Sequence, residues 1–248
     1  MPYDLTRHPF PPAVRRLTLA ARTVLATAGD AAAGHAFVRV RLAEAQPGEL
    51  AGFIAPGGGD HVRVEVVEGA DRTETVVAHS VEEGWIDLDI LVHSSAGSAS
   101  GVIGPWAAEA PIGSPALMHG PKGSVVLTGA PGEVVLAGDD SALPAVRRYL
   151  GMLGPSVTGH LLLETVFDPA ALGLVPPPGL RVSILRPDPS APSAALAAAL
   201  SALPPPADPL ERFVFACGEQ SLVAPARAAL ATWGIDVERA VVKGYWRR

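Results

Sequence analysis

Apolar and polar residues alternate along short segments in the first half of the chain. In Ala36–Leu42 the valines alternate with arginines, and in His61–Val66 they alternate with other polar residues. A period of two is typical of strands with one buried face, and short strands at intervals of roughly ten residues favour an antiparallel barrel or sandwich. The predicted strands are Ala36–Leu42, His61–Val66, Thr73–Ser80, Trp85–His93, Pro115–His119 and Ser124–Thr128.

The second half alternates apolar strands with helices. Strands that are apolar throughout and separated by helices indicate a parallel, doubly wound sheet. The turn at Gly129–Gly132 separates the two patterns, so we predict an antiparallel β-barrel domain over 1–130 and a small parallel α/β domain over 131–248. The predicted strands are Val134–Ala137, His160–Phe167, Arg181–Leu185, Arg212–Ala216 and Arg239–Val242, and the predicted helices are Pro144–Leu153, Ser193–Leu203 and Ser221–Trp233.

Composition narrows the class of protein. Hydrophobic residues make up 48% and charged residues 18%, which allows a large core, and the net charge of -6 argues against a nucleic-acid partner. The single cysteine, Cys217, excludes an intrachain disulfide and lies in an apolar run, so we predict a buried, inert thiol. The N-terminus lacks signal-peptide features, and no apolar run approaches the roughly 18 residues of a membrane span. We therefore predict a cytoplasmic protein with no membrane partner, of undetermined oligomeric state.

Sequence motifs of common enzyme classes are missing. The seven histidines include no pair at metal-ligand spacing, so we predict no metal site. The sequence also contains no nucleophile elbow, P-loop or kinase signature. The candidate chemistry therefore lies in other segments.

The segment 243–248 combines two aromatic side chains with three cations. Tyr245 and Trp246 are suited to stacking on a flat ligand, while Lys243, Arg247 and Arg248 suit a carboxylate, phosphate or phenolate. A solvated basic tail is the alternative interpretation. On the first interpretation the segment binds a small-molecule substrate.

Two strand-to-helix turns carry glycine and acidic residues. Gly138, Asp139 and Ser141 follow one predicted strand, and Gly218 with Glu219 follows another. Glycine lets a ligand approach a turn, and a helix N-terminus with free N–H groups suits a pyrophosphate or nicotinamide. Ordinary helix caps and tight turns are the alternative at both places.

These segments resemble the siderophore-interacting protein family, which consists of flavin-dependent ferric-siderophore reductases. The segment Gly244–Arg248 is similar to that family's Gly-Tyr-Trp-Arg-Arg, and Ala137–Ala145 is similar to its Ala-Gly-Asp-Glu-Thr-Ala-Leu-Pro-Ala. Gly120–Ser124 matches Gly-Pro-Arg-Gly-Ser with Lys122 in place of arginine. Gly97–Ser100 corresponds to a turn against the flavin phosphates, and 101–105 resembles an insertion after it. Residues 1–35 are much less typical of the family.

The resemblance implies a ferredoxin-reductase-like fold with FAD bound across the barrel and NAD(P)H bound at the carboxyl ends of the α/β strands. It assigns FAD contacts to Arg72, Thr75, Gly97, Ser100 and Lys122. It assigns the nucleotide contacts to the two turns, that is to Gly138, Asp139, Ser141, Gly218 and Glu219.

The flavin motif of the family is altered in this chain. The family carries Arg-x-Tyr-Thr-x-Arg, in which the tyrosine packs on the flavin ring and the second arginine binds the pyrophosphate. Arg72 and Thr75 are retained, but Glu74 replaces the tyrosine and Val77 replaces the second arginine. A carboxylate has no stacking face and repels phosphate, so both changes weaken FAD binding.

Three functions follow from these residues. The resemblance implies an FAD- and NAD(P)H-dependent oxidoreductase that reduces a ferric siderophore to release iron, with Trp246 or Tyr245 over the flavin. Loss of the flavin motif favours instead a non-redox cyclisation or rearrangement in bacterial natural-product biosynthesis, with Glu74 as general acid or base and His79 or His93 as its partner. The third function is non-catalytic binding of a siderophore or similar metabolite. Flavin content separates the first from the other two.

Overall fold

The chain forms two compact units in the computed structural model, which describes residues 3–29, 34–93 and 101–248. One unit contains 7–126 and 167–173, and the other contains the segment up to Thr6 together with 127–166 and 174–248. None of the helices in the described part of the chain combines the length and the hydropathy needed to cross a bilayer.

The first unit is a closed antiparallel barrel, as the alternating pattern predicts. Its strands follow the order β2-β3-β6-β5-β4-β7, while β1 and β8 form a separate two-stranded sheet. Apolar side chains from all six barrel strands fill the interior; most are valine or leucine, while β7 contributes Ala116 and Met118. Along this half of the chain the elements are β1 (Asp4–Pro9), β2 (Val14–Thr27), β3 (Ala36–Glu44), β4 (His61–Val67), β5 (Ala70–Ser80), β6 (Trp85–Val92), α1 (Ile103–Glu109), β7 (Pro115–His119) and β8 (Gly123–Thr128).

Two parts of the barrel unit differ from the sequence-based expectation. The first 35 residues, where no strand was predicted, contribute the long strand β2, whose pairing with β3 is interrupted between Leu19 and Ala21 and between Val24 and Ala26. Each bulge shifts the alternation by one residue, so the period of two is lost along the strand. The stretch interpreted as an insertion provides Ile103, the first residue of α1, which packs in the barrel core.

The second unit is a parallel five-stranded sheet with the order β11-β10-β9-β12-β13, which confirms the predicted doubly wound domain. The chain runs from the central strand β9 outward on one side and returns to the other side at β12. The switch point of the sheet therefore lies between β9 and β12. The elements are β9 (Glu133–Asp139), α2 (Leu143–Met152), β10 (Thr158–Glu164), β11 (Leu180–Leu185), α3 (Ala194–Ser201), β12 (Arg212–Glu219), α4 (Val223–Thr232) and β13 (Ala240–Trp246).

Strands β12 and β13 are longer than predicted. All eight residues of β12 are buried, and Cys217 among them is fully buried, as expected. Strand β13 was predicted to end at Val242, but its pairing with β12 continues to Trp246, with an irregularity between Gly218 and Glu219. The aromatic pair therefore lies on a sheet strand, and the alternative of a solvated tail is wrong for Tyr245 and Trp246.

Candidate functional site

Asp139 organises the carboxyl edge of the parallel sheet. It ends β9, is 8% exposed, and accepts four hydrogen bonds. One carboxylate oxygen accepts from the backbone N–H and hydroxyl of Ser141, at 2.9 and 2.5 Å. The other accepts from the backbone N–H of Glu219 and from the indole Nε1 of Trp246, both at 2.8 Å. Asp139 thus joins β9, β12 and β13 at the switch point.

Trp246 is fixed at its nitrogen and open at its ring. The indole donates to Asp139, yet the residue remains 43% exposed. Lys243 and Arg247 on the same segment are exposed as well. Arg248 donates to the carbonyl oxygen of Pro189 at 2.7 Å, and its backbone N–H reaches Glu219 at 3.4 Å. This edge therefore presents one oriented aromatic ring with exposed cations on the same segment.

The two glycines of the turns make room for the protein itself. A Cβ at Gly138 would lie 2.7 Å from the Cβ of Ala142, and a Cβ at Gly218 would lie 2.7 Å from a carboxylate oxygen of Asp139. The methyl group of Ala142 therefore accounts for the glycine at position 138, and a ligand contact at Gly138 stays a prediction. Gly218 is required by the position of the Asp139 carboxylate.

Replacing Gly218 by alanine is expected to lower the free energy of unfolding by about 1–3 kcal/mol, the usual range for overpacking a filled site. The added methyl group displaces the Asp139 carboxylate, which its four donors hold in place. Urea denaturation measures the change.

Gly151→Ala is the matched control, since position 151 lies in α2 with nothing within 4 Å of the added Cβ. That variant should be more stable than the wild type by about 0.5–1 kcal/mol. If Gly218→Ala denatures like the wild type, the Asp139 carboxylate can move aside without a loss of stability.

Two further carboxyl groups at this edge were not selected from the sequence. Burial raises the pKa of Asp140 to about 7, against hydrogen bonds from Thr165 and the backbone of Val166. Burial also raises the pKa of Glu164, which accepts from the backbone N–H groups of Ser193 and Leu196 and thereby caps α3. Both effects depend on tertiary burial, which the sequence pattern does not specify. In contrast, hydrogen bonds from Ser221 lower the pKa of Glu219.

Tyr245 and Cys217 form a buried contact behind this edge. Burial raises the pKa of the Cys217 thiol to about 12 and holds the pKa of Tyr245 well above its usual value. Cys217 donates weakly to the carbonyl oxygen of Val241 at 3.9 Å. The thiol and the phenol therefore both stay neutral at physiological pH, and Tyr245 packs behind the sheet edge as an uncharged side chain.

Strand β5 of the barrel holds the altered flavin motif. The Arg72 guanidinium is exposed, donates to the carbonyl oxygen of Asp71 at 2.7 Å and packs on Gly101. Thr75 is 7% exposed. Glu74 is partly buried opposite Val62, a residue of the barrel core, and burial raises the pKa of Glu74 to about 8. Glu74 is therefore mostly protonated at pH 7 and can donate a hydrogen bond.

The raised pKa of Glu74 predicts a pH-dependent stability. The folded state holds this proton until about pH 8, whereas the unfolded chain releases it near 4.5. The free energy of unfolding should therefore be highest below the lower value and fall as the pH rises between the two, by at most about 1.4 kcal/mol per pH unit for one group. Urea denaturation of wild type and Glu74→Gln at pH 5, 6, 7 and 8 measures the difference.

Glu74→Gln should show the smaller slope, because glutamine does not titrate. Asp140 and Glu164 contribute to the slope of both proteins equally, so the difference isolates Glu74. Parallel curves would show that the carboxyl at position 74 is solvated.

The other predicted contacts of the barrel are dispersed. His79 lies five residues beyond Glu74 on β5, about 16 Å along an extended strand, and packs edge-on against Phe53 at 5.1 Å. His93 follows β6, where desolvation and the neighbouring His35 lower its pKa. Lys122 is exposed, and its carbonyl oxygen accepts from the backbone N–H of Phe10. Gly97 and Ser100 lie outside the described residues.

A buried hydrogen-bond network around Asp60 was not predicted from the sequence. Asp60 is 2% exposed and accepts from the backbone N–H of Gly57 and the hydroxyl of Ser124, both at 2.8 Å. A Cβ at Gly57 would lie 2.4 Å from the carbonyl oxygen of Val125. The network therefore ties the turn before β4 to β8, and it gives Ser124, the last residue of the Gly120–Ser124 motif, a structural role.

The residues on β5 fit the phosphate part of FAD better than its ring. Arg72 offers an exposed guanidinium, and Thr75 a hydroxyl, which are donors of the kind that phosphates bind. Glu74 is neutral at pH 7, so the repulsion expected from a carboxylate is largely removed. The stacking face and the second guanidinium are missing, so β5 offers fewer contacts to FAD than the family motif does.

Comparisons with known proteins cover both units. Residues 6–125 match the siderophore-interacting FAD-binding domain, and residues 131–248 match the siderophore-interacting protein domain. A siderophore utilization protein from T. fusca superimposes with a TM-score of 0.78 at 26% identity, covering 99% of this chain and 97% of that one. A ferredoxin-NADP+ reductase from Plasmodium falciparum superimposes with a TM-score of 0.70 at 10% identity, covering 94% of this chain and 96% of that one, which shows the shared fold.

Curated relatives are matched over part of their length. An uncharacterized protein of Mycobacterium tuberculosis is 35% identical over 112 residues, which are 45% of this chain and 38% of that protein. The ferric vibriobactin reductase ViuB of Vibrio cholerae is 27% identical over 178 residues, which are 71% of this chain and 64% of that protein. With both domains matched in order along a ferredoxin-reductase-like fold, this chain belongs to the siderophore-interacting protein family.

Proposed function

We propose that this chain reduces the iron of a ferric siderophore, using electrons that NAD(P)H delivers through FAD. The observation that carries the proposal is Trp246, which Asp139 holds by its nitrogen while its ring stays exposed. Exposed Lys243 and Arg247 lie on the same segment. An aromatic face with adjacent cations suits the aromatic, anionic oxygen ligands of a catecholate chelate. The reaction named for the relative ViuB belongs to the same class.

Each group of residues has a separate task in this proposal. Arg72 and Thr75 hold the phosphates of FAD, with Lys122 as a further cation of the same unit. FAD, when bound, supplies the conversion of a two-electron donor into single electrons. Trp246 orients the chelate, and the cations lower the energy of its anionic form at the edge of the sheet. Reduced iron binds hard oxygen ligands less tightly, so reduction releases it.

The proposal is tested by anaerobic reduction of a ferric tris-catecholate complex in the presence of FAD and either NADH or NADPH, with ferrozine as the Fe(II) trap. The protein is expected to raise the rate well above that of free FAD. Lys243→Ala with Arg247→Ala should raise the KM for the chelate about tenfold and leave kcat unchanged, because the lost charges act in binding.

Arg181→Ala is the matched control, since Arg181 is an exposed arginine on the opposite edge strand, β11, and should leave KM unchanged. A rate equal to that of free FAD with every chelate tested would overturn the proposal. An equal rise of KM in the control would show that the overall charge of the protein, and not a binding site on β13, determines the KM for the chelate.

The buried carboxyl group of Glu74 favours a second candidate function, which is non-redox catalysis. A protonated carboxyl in the place of the family's stacking tyrosine is suited to general acid catalysis, since burial raises its pKa to about 8. A protein that retains no FAD after incubation and desalting, and that reduces no chelate, supports non-redox chemistry at this strand. A yellow protein whose Glu74→Gln variant reduces iron normally argues against that candidate.

A further inference from the structure

Two histidines that are distant in sequence meet at one end of the barrel sheet. Strand β3 begins at Ala36 and β6 ends at Val92, and these two residues are paired. The antiparallel register therefore places His35 opposite His93, one position beyond the paired ends. Their ring centroids lie 6.1 Å apart, and the ring planes are tilted by 32°. The sequence shows no metal-ligand spacing because the pair is formed across two strands.

This separation is close to that of two imidazoles sharing one metal ion. Metal–nitrogen bonds of about 2.0–2.1 Å and ligand angles of about 90–110° place the centroids of two such rings about 4.5–5.2 Å apart. His93 is exposed, so a small rotation of its side chain closes the remaining difference. The ring planes are tilted by 32°, so the two imidazoles do not stack in parallel.

The backbone of His35 is held by a hydrogen bond, and His93 directly follows the last paired residue of β6. The carbonyl oxygen of His35 accepts from the backbone N–H of Ala28 at 2.9 Å, and the ladder between β3 and β6 continues to the neighbouring residues. In the ranges that the structure describes, no group of three His, Cys, Asp or Glu side chains is arranged to hold a metal. Among the described residues, His35 and His93 would therefore supply two ligands.

We propose that His35 and His93 chelate one divalent first-row transition-metal ion at this end of the barrel. Imidazole suits copper, nickel and zinc, and the affinities should follow the order Co²⁺ < Ni²⁺ < Cu²⁺ > Zn²⁺. This proposal is independent of the reductase function, because it uses neither FAD nor the edge of the α/β sheet. The ion is bound by the protein and is distinct from the iron of a chelate.

The test is titration of the full, tag-free protein with Cu²⁺, followed by calorimetry and by electron paramagnetic resonance. One equivalent is expected to bind first, with a spectrum that shows two imidazole nitrogens. His35→Ala and His93→Ala should each weaken Cu²⁺ binding at least tenfold. The double variant should have the same affinity as either single variant, because the loss of one ring already abolishes the chelate. His8→Ala removes a single exposed histidine and should leave the affinity unchanged.

Circular dichroism and urea denaturation establish that each variant is folded, and His93→Gln provides a polar replacement if His93→Ala is not. Unchanged Cu²⁺ affinity in a folded His93 variant would overturn the proposal. A spectrum with one imidazole nitrogen, or Zn²⁺ binding that exceeds Cu²⁺ binding, would overturn it equally.

Discussion

Replacing Glu74 by tyrosine and Val77 by arginine together is expected to tighten FAD binding about 10²- to 10⁴-fold. The aromatic ring restores a stacking contact worth about 1–3 kcal/mol, and the guanidinium restores a charge-assisted contact worth about 1.5–3 kcal/mol. Arg72 and Thr75 are already in place on the same strand. Titration of the apoprotein with FAD, followed by calorimetry, measures the gain.

Single replacements separate the two contributions. Glu74→Gln should change FAD affinity little at pH 7, because the wild-type carboxyl is already mostly neutral, and should bind FAD more tightly than the wild type at pH 9. Arg72→Ala should weaken binding in every background. Wild-type affinity in the tyrosine–arginine variant would mean that positions 74 and 77 do not contact the flavin.

Removing the Asp139 carboxylate is expected to have the largest effect on stability. Asp139→Ala leaves the backbone N–H of Glu219, which is buried, and the indole N–H of Trp246 without their acceptor. Each hydrogen bond to a charged group contributes about 1.5–3 kcal/mol, and a buried donor left unpaired costs about 1–3 kcal/mol. We expect the free energy of unfolding to fall by about 3 kcal/mol or more in urea denaturation.

Asp139→Asn should recover only part of this loss. Each carboxylate oxygen of Asp139 accepts from two donors, and in asparagine an NH₂ group, which cannot accept, replaces one of these oxygens. Asp208→Ala is the matched control: Asp208 also accepts a local backbone bond, from Leu210 at 2.8 Å, but is exposed. That control should lose less than about 1 kcal/mol. A similar loss in both variants would show that the contacts across the sheet edge contribute little.

The architecture could be predicted where the hydrophobic period was regular. The strands of the parallel sheet are continuous apolar runs, and Val134–Ala137 and Arg212–Ala216 were placed correctly within β9 and β12. The hydrophobic period did not predict β2, because each of its two bulges moves the following side chains to the opposite face of the strand. It failed again at α1, a helix of seven residues that contains Gly104 and Pro105. In both places tertiary pairing decides the structure.

The candidate site could be predicted by residue type but not by role. Asp139, Glu219 and Trp246 were all selected, and the structure joins them through one carboxylate. Their mutual contact could not be inferred, because it depends on the register of β12 with β13 and its irregularity after Gly218. The pKa of Glu74 likewise depends on the burial of β5, and the His35–His93 pair depends on the register of β3 with β6.

The N-terminal segment has a consequence for how the chain folds. Tyr3 is 1% exposed, donates to the carbonyl oxygen of Arg212 at 2.8 Å and packs against Phe213 at 5.6 Å, more than two hundred residues away in sequence. These contacts of Tyr3 close a very long loop, which raises the contact order of the α/β unit and slows its completion. During synthesis the barrel can form first, as an insertion between parts of a unit that is still incomplete.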